Sequence, residues 1–223
     1  MMSKLISEDE LMHFGVKGMK WGHRKKEDEP VGKKRSKKTE DDDIRVSKGT
    51  TIHRVIPKGW EEAEKKLKGR AYASYKDDDV EQYRSIGKMF SNPNNRYIDM
   101  SFKASEHLVA PSRKKRIDEF VNLINSDPAT KQAFIKATRS PLNYVSKKKI
   151  ENLDKEKNID KAYKKFAFLL VCKPELREPY FDRLKKEGYN MVIDDADSGR
   201  LSESPVIIFN REKSLKYLGS EEL

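Results

Sequence analysis

An arginine set into a run of apolar residues is the first feature of this chain that could do chemistry. The run Thr50-Thr51-Ile52-His53-Arg54-Val55-Ile56 is β-branched and predicts a strand, stopped by Pro57-Lys58-Gly59. Alternation along a strand puts Arg54 on the face of Ile52 and Ile56, and His53 with Val55 on the other. An unpaired buried charge is very costly, so Arg54 demands an anion. That anion is either a structural carboxylate or the phosphates of a ligand, which a guanidinium grips through two parallel hydrogen bonds. Both partners stay open at this point.

Other reactive residues offer less. The four histidines (His13, His23, His53, His107) are scattered and no Cys/His zinc spacing occurs, so no metal is expected. The one cysteine, Cys172, follows Phe168-Leu169-Leu170-Val171 and fits a small buried hydrophobe better than a reactive thiol. A single cysteine excludes an intramolecular disulfide, which suits a cytoplasm-like compartment or a particle assembled in one. A Walker loop, a nucleophile elbow and a paired-glycine dinucleotide fingerprint are all missing.

Near the start lies His13-Phe14-Gly15-Val16-Lys17-Gly18-Met19-Lys20-Trp21-Gly22-His23-Arg24, with three glycines in eight residues. Each glycine costs a helix about 1 kcal/mol, so this is no stable helix. Yet Phe14, Val16, Met19 and Trp21 are too apolar for an indifferent linker. Such anchors suit a peptide that docks into a partner's pocket and orders on binding, the alternative being a flap folded onto its own domain.

These residues must be placed by the elements around them. Ser7-Glu8-Asp9-Glu10 reads as a capping box for a short helix ahead of the peptide, so residues 1–23 form a docking helix and peptide. Residues 24–43 lose the large apolar side chains and pair Lys33-Lys34-Arg35-Ser36-Lys37-Lys38 with Glu40-Asp41-Asp42-Asp43, which predicts a charged flexible tether. A globular domain spans 44–223. It opens with the Arg54 strand, a helix over Trp60–Lys68 closed by Gly69, and a strand over Arg70–Tyr75. A helix N-capped by Asp77-Asp78-Asp79 follows, with Val80, Tyr83, Gly87 and Phe90 at helical spacing. The clearest strand is Tyr97–Ala104, where Ile98, Met100, Phe102 and Ala104 alternate with Tyr97, Asp99, Ser101 and Lys103.

The middle is helical: a helix capped by Ser112, one restarted by Asp127-Pro128, one started by Ser140-Pro141, an apolar central one over Ile159–Val171, and one over Pro174–Glu187 ended by Gly188. Strands over Tyr189–Asp194 and Pro205–Phe209 then flank a polar loop, Asp195–Ser204. Strands on either side of a helical block predict an α+β fold.

Net charge is +11, of which residues 1–48 carry +3, so the surplus is not a basic tail. It favours packaged nucleic acid or an acidic protein wall, or is the solvated surface of a Lys-rich proteome. No apolar run approaches the roughly 18 residues of a membrane span, and the start lacks an apolar secretory core, so no membrane partner is expected.

Residues 13–24 resemble the H-[F/Y]-G-V-K-G-M-K-W-G-x-R peptide of minor structural proteins in tailed bacteriophages, with His23 where Val is usual. The resemblance implies a virion protein, present in the host cytoplasm during assembly. Residues 13–24 would then dock on a capsid, portal or connector protein.

The domain, in turn, resembles ADP-ribosyltransferases over roughly residues 45–218. The motifs are Lys-Gly-Thr-x-x-x-Arg on the first strand, Tyr-x-Ser on the second, an Asp-rich helix start, and Glu203 ahead of Pro205-Val206-Ile207-Ile208-Phe209. The resemblance implies NAD as cofactor, held by Arg54 with neighbouring His53, Tyr72 and Ser74. Tyr72 would stack on nicotinamide, Glu203 would be the catalytic carboxylate, and the acceptor would be a host protein. A Ser-Thr-Ser triplet and a Glu-x-Glu pair are absent, with only Ser202-Glu203-Ser204 at the second place. A non-catalytic head or connector protein and a basic DNA-contacting protein are the alternative expectations.

Overall fold

The alternation in Tyr97–Ala104 builds the middle strand of the sheet on which the candidate site stands. The computed structural model describes residues 42–66, 68–138, 150–151, 153, 156–196 and 205–223. Its first part comprises β1 (Ile44–Val46), β2 (Thr51–Pro57), a 3-10 turn (Lys58–Trp60), α1 (Glu61–Lys66), β3 (Ala71–Ala73), α2 (Asp77–Phe90), β4 (Tyr97–Ala104) and β5 (Leu108–Ala110). A helical block follows: α3 (Arg113–Ser126), α4 (Pro128–Ala137), α5 (Glu156–Leu170) and α6 (Pro174–Lys186). The chain closes with β6 (Met191–Ile193), β7 (Val206–Ile208), α7 (Arg211–Ser214) and β8 (Leu215–Glu222). Strands around a helical block make the domain α+β.

Two antiparallel three-stranded sheets, in orders β2-β4-β8 and β3-β7-β6, stand beside a β1-β5 pair. The two larger sheets meet where His53 and Ser74 exchange backbone hydrogen bonds of 2.7 and 2.9 Å. The second sheet is buried on both sides. Val192 and Ile207 face the helical block, while Met191, Ile193, Val206 and Ile208 pack with Ile52, Ile56, Met100 and Leu108 of the other core. A strand without a solvent face has no polar positions to alternate, which is why Met191-Val192-Ile193 and Val206-Ile207-Ile208 are continuous apolar runs.

In β4 the even-numbered residues Ile98, Met100, Phe102 and Ala104 are buried, as the alternation requires. Asp99 departs from it. Expected on the solvent face, it is 1% exposed because α2 lies across that end of the sheet. Gly87 permits the close approach, since a Cβ there would stand 2.9 Å from Val55 Cγ1 and 2.7 Å from Leu223 Cδ1.

The helical core is aromatic. Phe166 on α5 has its ring centroid 4.8 Å from Phe120, 5.5 Å from Phe134 and 5.3 Å from Tyr180, all fully buried. Edge-on and tilted pairs of this kind contribute about 0.5–1.5 kcal/mol each beyond their buried area. Ile150 and Leu153 are buried in the same cluster, while the rest of the helix expected from Ser140 lies outside the described residues.

Local signals act where expected at most helix ends. Ser112 Oγ accepts from Lys115 N–H, Asp127 accepts from Ala129 and Thr130 N–H, and Gly188 ends α6 at φ 91°. The expected Asp cap of α2 is corrected: Lys76 holds the cap position without a side-chain bond, and Asp77, Asp78 and Asp79 occupy the first turn. There they favour the positive end of the helix dipole. The domain boundary also moves slightly. Asp43, placed in the tether by composition, accepts from Ser112 N–H and Lys115 and so belongs to the fold.

Candidate functional site

His53 and Arg54 are neighbours in sequence, and the pleat of β2 sends them into different chemistry. On the core side, Arg54 Nε lies 2.8 Å from Glu64 Oε1, Nη2 donates to Oε2 at 3.3 Å, and Nη1 donates to the Tyr72 carbonyl at 2.7 Å. Arg211 Nη1 reaches the same carboxylate at 2.5 Å, and its guanidinium stacks 4.8 Å from the Phe102 ring centroid. Arg54, Glu64 and Arg211 are 7, 2 and 5% exposed. Of the two partners that Arg54's face demanded, the fold supplies the carboxylate, from a helix only ten residues downstream. The guanidinium fork is directed at protein acceptors.

On the opposite face His53 Nδ1 lies 2.8 Å from Asp99 Oδ2, which also accepts from Arg84 Nε at 2.8 Å. Ser101 Oγ stands 3.5 Å from Nδ1, at the limit of a hydrogen bond. The His53 side chain keeps 20% of its surface exposed, whereas that of Asp99 keeps none. Burial pushes the Asp99 carboxyl up, but the hydrogen bonds from His53 and Arg84 outweigh it and hold the group below its ordinary value. Arg84 is raised in return, chiefly by its hydrogen bond to Asp99. Asp99 Oδ1 has no hydrogen-bond partner among the described residues.

The remaining expected residues divide. Ser74 is brought to His53 through the backbone pair and is 2% exposed. The partly buried Tyr72 ring packs against the helical cluster and its carbonyl accepts from Arg54. Half-buried Tyr75, one residue past Ser74, has its phenol raised by burial and by Asp79. Glu203 lies outside the described residues, as do Phe14, Val16, Met19 and Trp21. The strand that Glu203 leads into is described: β7 pairs with β3 so that Val206 lies opposite Ala73, next to Ser74. The other end of that loop is anchored. Asp195 receives Arg116 Nε at 2.8 Å and Nη2 at 3.0 Å, and Tyr163 donates to it as well.

Sequence reasoning missed Asp99, Arg84 and Glu64. Alternation placed Asp99 toward water, and nothing local marks Arg84 or Glu64 as its neighbours' partners. A charged residue on a half-covered strand face, opposite Val55 and diagonal to His53 across the ladder, was the available signal, and it needs the strand register to be read. No group of three or more His, Cys, Asp or Glu residues suited to a metal occurs among the described residues. No described helix is long and apolar enough to cross a membrane.

Comparison with known proteins places one stretch of the chain. Residues 4–28 match a family of unknown function (DUF7211), and this stretch covers the expected N-terminal helix and the glycine-rich peptide. No curated protein and no solved structure matches the chain.

Proposed function

We propose that the chain is a minor virion protein of a tailed phage whose α+β domain holds NAD at the seam between its two larger sheets. Residues 13–24 address it to a capsid, portal or connector subunit. The observation that carries the NAD reading is the seam: β2 and the segment after β3 join at His53 and Ser74, and β7 starts opposite Ala73. The convergence of first, second and late strands there supports the ADP-ribosyltransferase reading. The match of residues 4–28 to a recurrent family supports treating the N-terminal peptide as a module in its own right.

The residues at the seam fit such a ligand in part. His53 and Ser101 are partly exposed on the sheet face that α2 leaves open, and can meet polar groups of a nucleotide. Arg54 is turned to Glu64 and the Tyr72 carbonyl, so the remaining polar contact, to a hydroxyl or amide of the nucleotide, falls to His53. NAD, when bound, supplies the nicotinamide–ribose bond that transfer to a host protein breaks. Glu203 keeps the role of stabilising carboxylate that the resemblance assigns to it.

The reading is tested by melting the full chain with and without NAD. A ligand at 100 times its Kd stabilises by about 2.7 kcal/mol, a shift of several degrees for a domain of this size. The expected pattern is a shift in the wild type, none in His53→Ala, and a retained shift with loss of NAD cleavage in Glu203→Gln. No shift in the wild type at millimolar NAD removes the NAD reading. For the address, particles assembled with Trp21→Ala are expected to carry less of the protein, since large aromatic anchors cost about 2 kcal/mol or more when truncated. Equal incorporation removes it.

A second reading has one observation in its favour. The buried Arg54–Glu64–Arg211 cluster is what a purely structural domain would contain, and a non-catalytic head or connector component follows from it. That reading expects normal incorporation with neither an NAD shift nor cleavage. Retention on DNA that falls steeply with salt would instead favour the basic DNA-contacting alternative.

A further inference from the structure

Two donors converge on a single oxygen beneath α2, and this arrangement decides which nitrogen of His53 carries a proton. Asp99 Oδ2 is 2.8 Å from His53 Nδ1 and 2.8 Å from Arg84 Nε. A guanidinium only donates, and an ionised carboxylate only accepts. With Asp99 ionised, the 2.8 Å contact requires a proton on Nδ1. Ser101, at 3.5 Å, is too distant to compete for that position. His53 Nε2 has no partner among the described residues, and the side chain is 20% exposed, so Nε2 is the nitrogen left for a ligand.

Arg84 makes the arrangement hold. A carboxylate withdrawn from water favours its neutral form, and a protonated Asp99 would donate its O–H to a bare Nδ1, leaving the ring proton on Nε2. The guanidinium keeps the carboxyl ionised, and it arrives there because Gly87, one turn further along α2, lets the helix lie against Val55 and Tyr97. Arg84 is itself held by Glu81 and Glu221, at 3.3 and 3.5 Å.

We infer that Asp99, braced by Arg84, is a positioning residue that fixes His53 in the tautomer protonated at Nδ1. In the neutral ring, Nε2 is then an acceptor. The group it meets must donate a hydrogen bond, as a hydroxyl or amide N–H does, and a phosphate oxygen is refused. The consequence for NAD rests on the seam being its site; the tautomer does not.

The test has two arms that fail separately. In the first, the nitrogen shifts of His53 are read by NMR on the 15N-labelled full chain at a pH where the ring is neutral, with His53→Ala giving the assignment. The expected result is a protonated Nδ1 and a bare Nε2; a protonated Nε2 overturns the inference whatever NAD does. Asp99→Leu keeps much of the side chain's volume and removes the acceptor on which His53 and Arg84 converge. With no acceptor at Nδ1, the neutral ring is expected to lose its preference for the Nδ1 proton and to populate the form protonated at Nε2. An unchanged tautomer in Asp99→Leu overturns the role of Asp99.

In the second arm, NAD affinity is compared between the wild type, Asp99→Leu, His53→Ala and the double variant. Asp99→Leu is expected to weaken binding about tenfold or more, with no further loss when added to His53→Ala. Equal affinity in wild type and Asp99→Leu overturns the positioning role in binding. Absence of binding in the wild type overturns the NAD reading, and leaves the tautomer to be decided by the first arm.

Discussion

Arg54 and His53 lie side by side on β2, and each meets a buried carboxylate, but the two clusters are built for different ends. Around Glu64 two arginines crowd one carboxylate, all three at 7% exposure or less. Around Asp99 one arginine and one histidine share the carboxylate, and the histidine reaches the surface. Charge pairing alone therefore does not mark a functional group. What separates the clusters is whether a member keeps an atom for something outside the protein. Arg54 spends its fork inside the core, whereas His53 spends one nitrogen and leaves the other.

The largest effect that sharpens this contrast is expected at Glu64. Glu64→Gln leaves two buried guanidiniums without their shared anion, and breaking a buried pair in this way costs about 3–5 kcal/mol. Urea unfolding of the variant measures it, and a loss under about 1 kcal/mol would show that water or another group already serves the arginines. Arg54→Met comes next. Glu64 keeps Arg211, so no charge is stranded and methionine fills part of the volume; a loss of roughly 1–2 kcal/mol is expected. The NAD-induced melting shift of that variant should survive. If it vanishes while His53→Ala retains it, the roles of the two neighbours are the reverse of those argued above.

The smallest expected effect concerns acid. Asp99 is held below its ordinary carboxylate value of 3.8 in the folded chain. A folded value under the unfolded one gives stability that is present above the unfolded value and is lost as pH falls through the folded one. Stability should thus drop as pH falls from about 4 downward, and Asp99→Asn should flatten that part of the curve and leave the neutral part nearly level. Denaturation midpoints between about pH 3 and pH 7 check this. An acid limb unchanged by Asp99→Asn would mean that other carboxylates dominate it.

Much of the frame was legible in residue order. The period of two in Tyr97–Ala104 placed Ile98, Met100, Phe102 and Ala104 on the core face, and the same rule put Arg54 among Ile52 and Ile56. Ser112, Asp127 and Gly188 marked helix ends by chemistry confined to a few neighbouring residues. The strand β8 was not legible. Leu215-Lys216-Tyr217-Leu218-Gly219-Ser220-Glu221-Glu222 has little alternation, and it is extended because β4 offers a free row of backbone partners. The three-residue strands β1 and β5 escaped for the same reason: each is too short to show a period and exists through the other.

The sequence by itself determined which residues are apolar together, where helices begin, and that an arginine in a buried strand must find an anion. Only the tertiary structure decided that the anion is Glu64, that Asp99 lies beneath α2, and that His53 keeps one nitrogen outward. The physical reason is the range of the interactions. Periodicity and capping act between residues a few positions apart and are written in local order. The partner of a buried charge is set by which surfaces meet, and Asp99 and His53, 46 positions apart, become neighbours only when β2 and β4 pair.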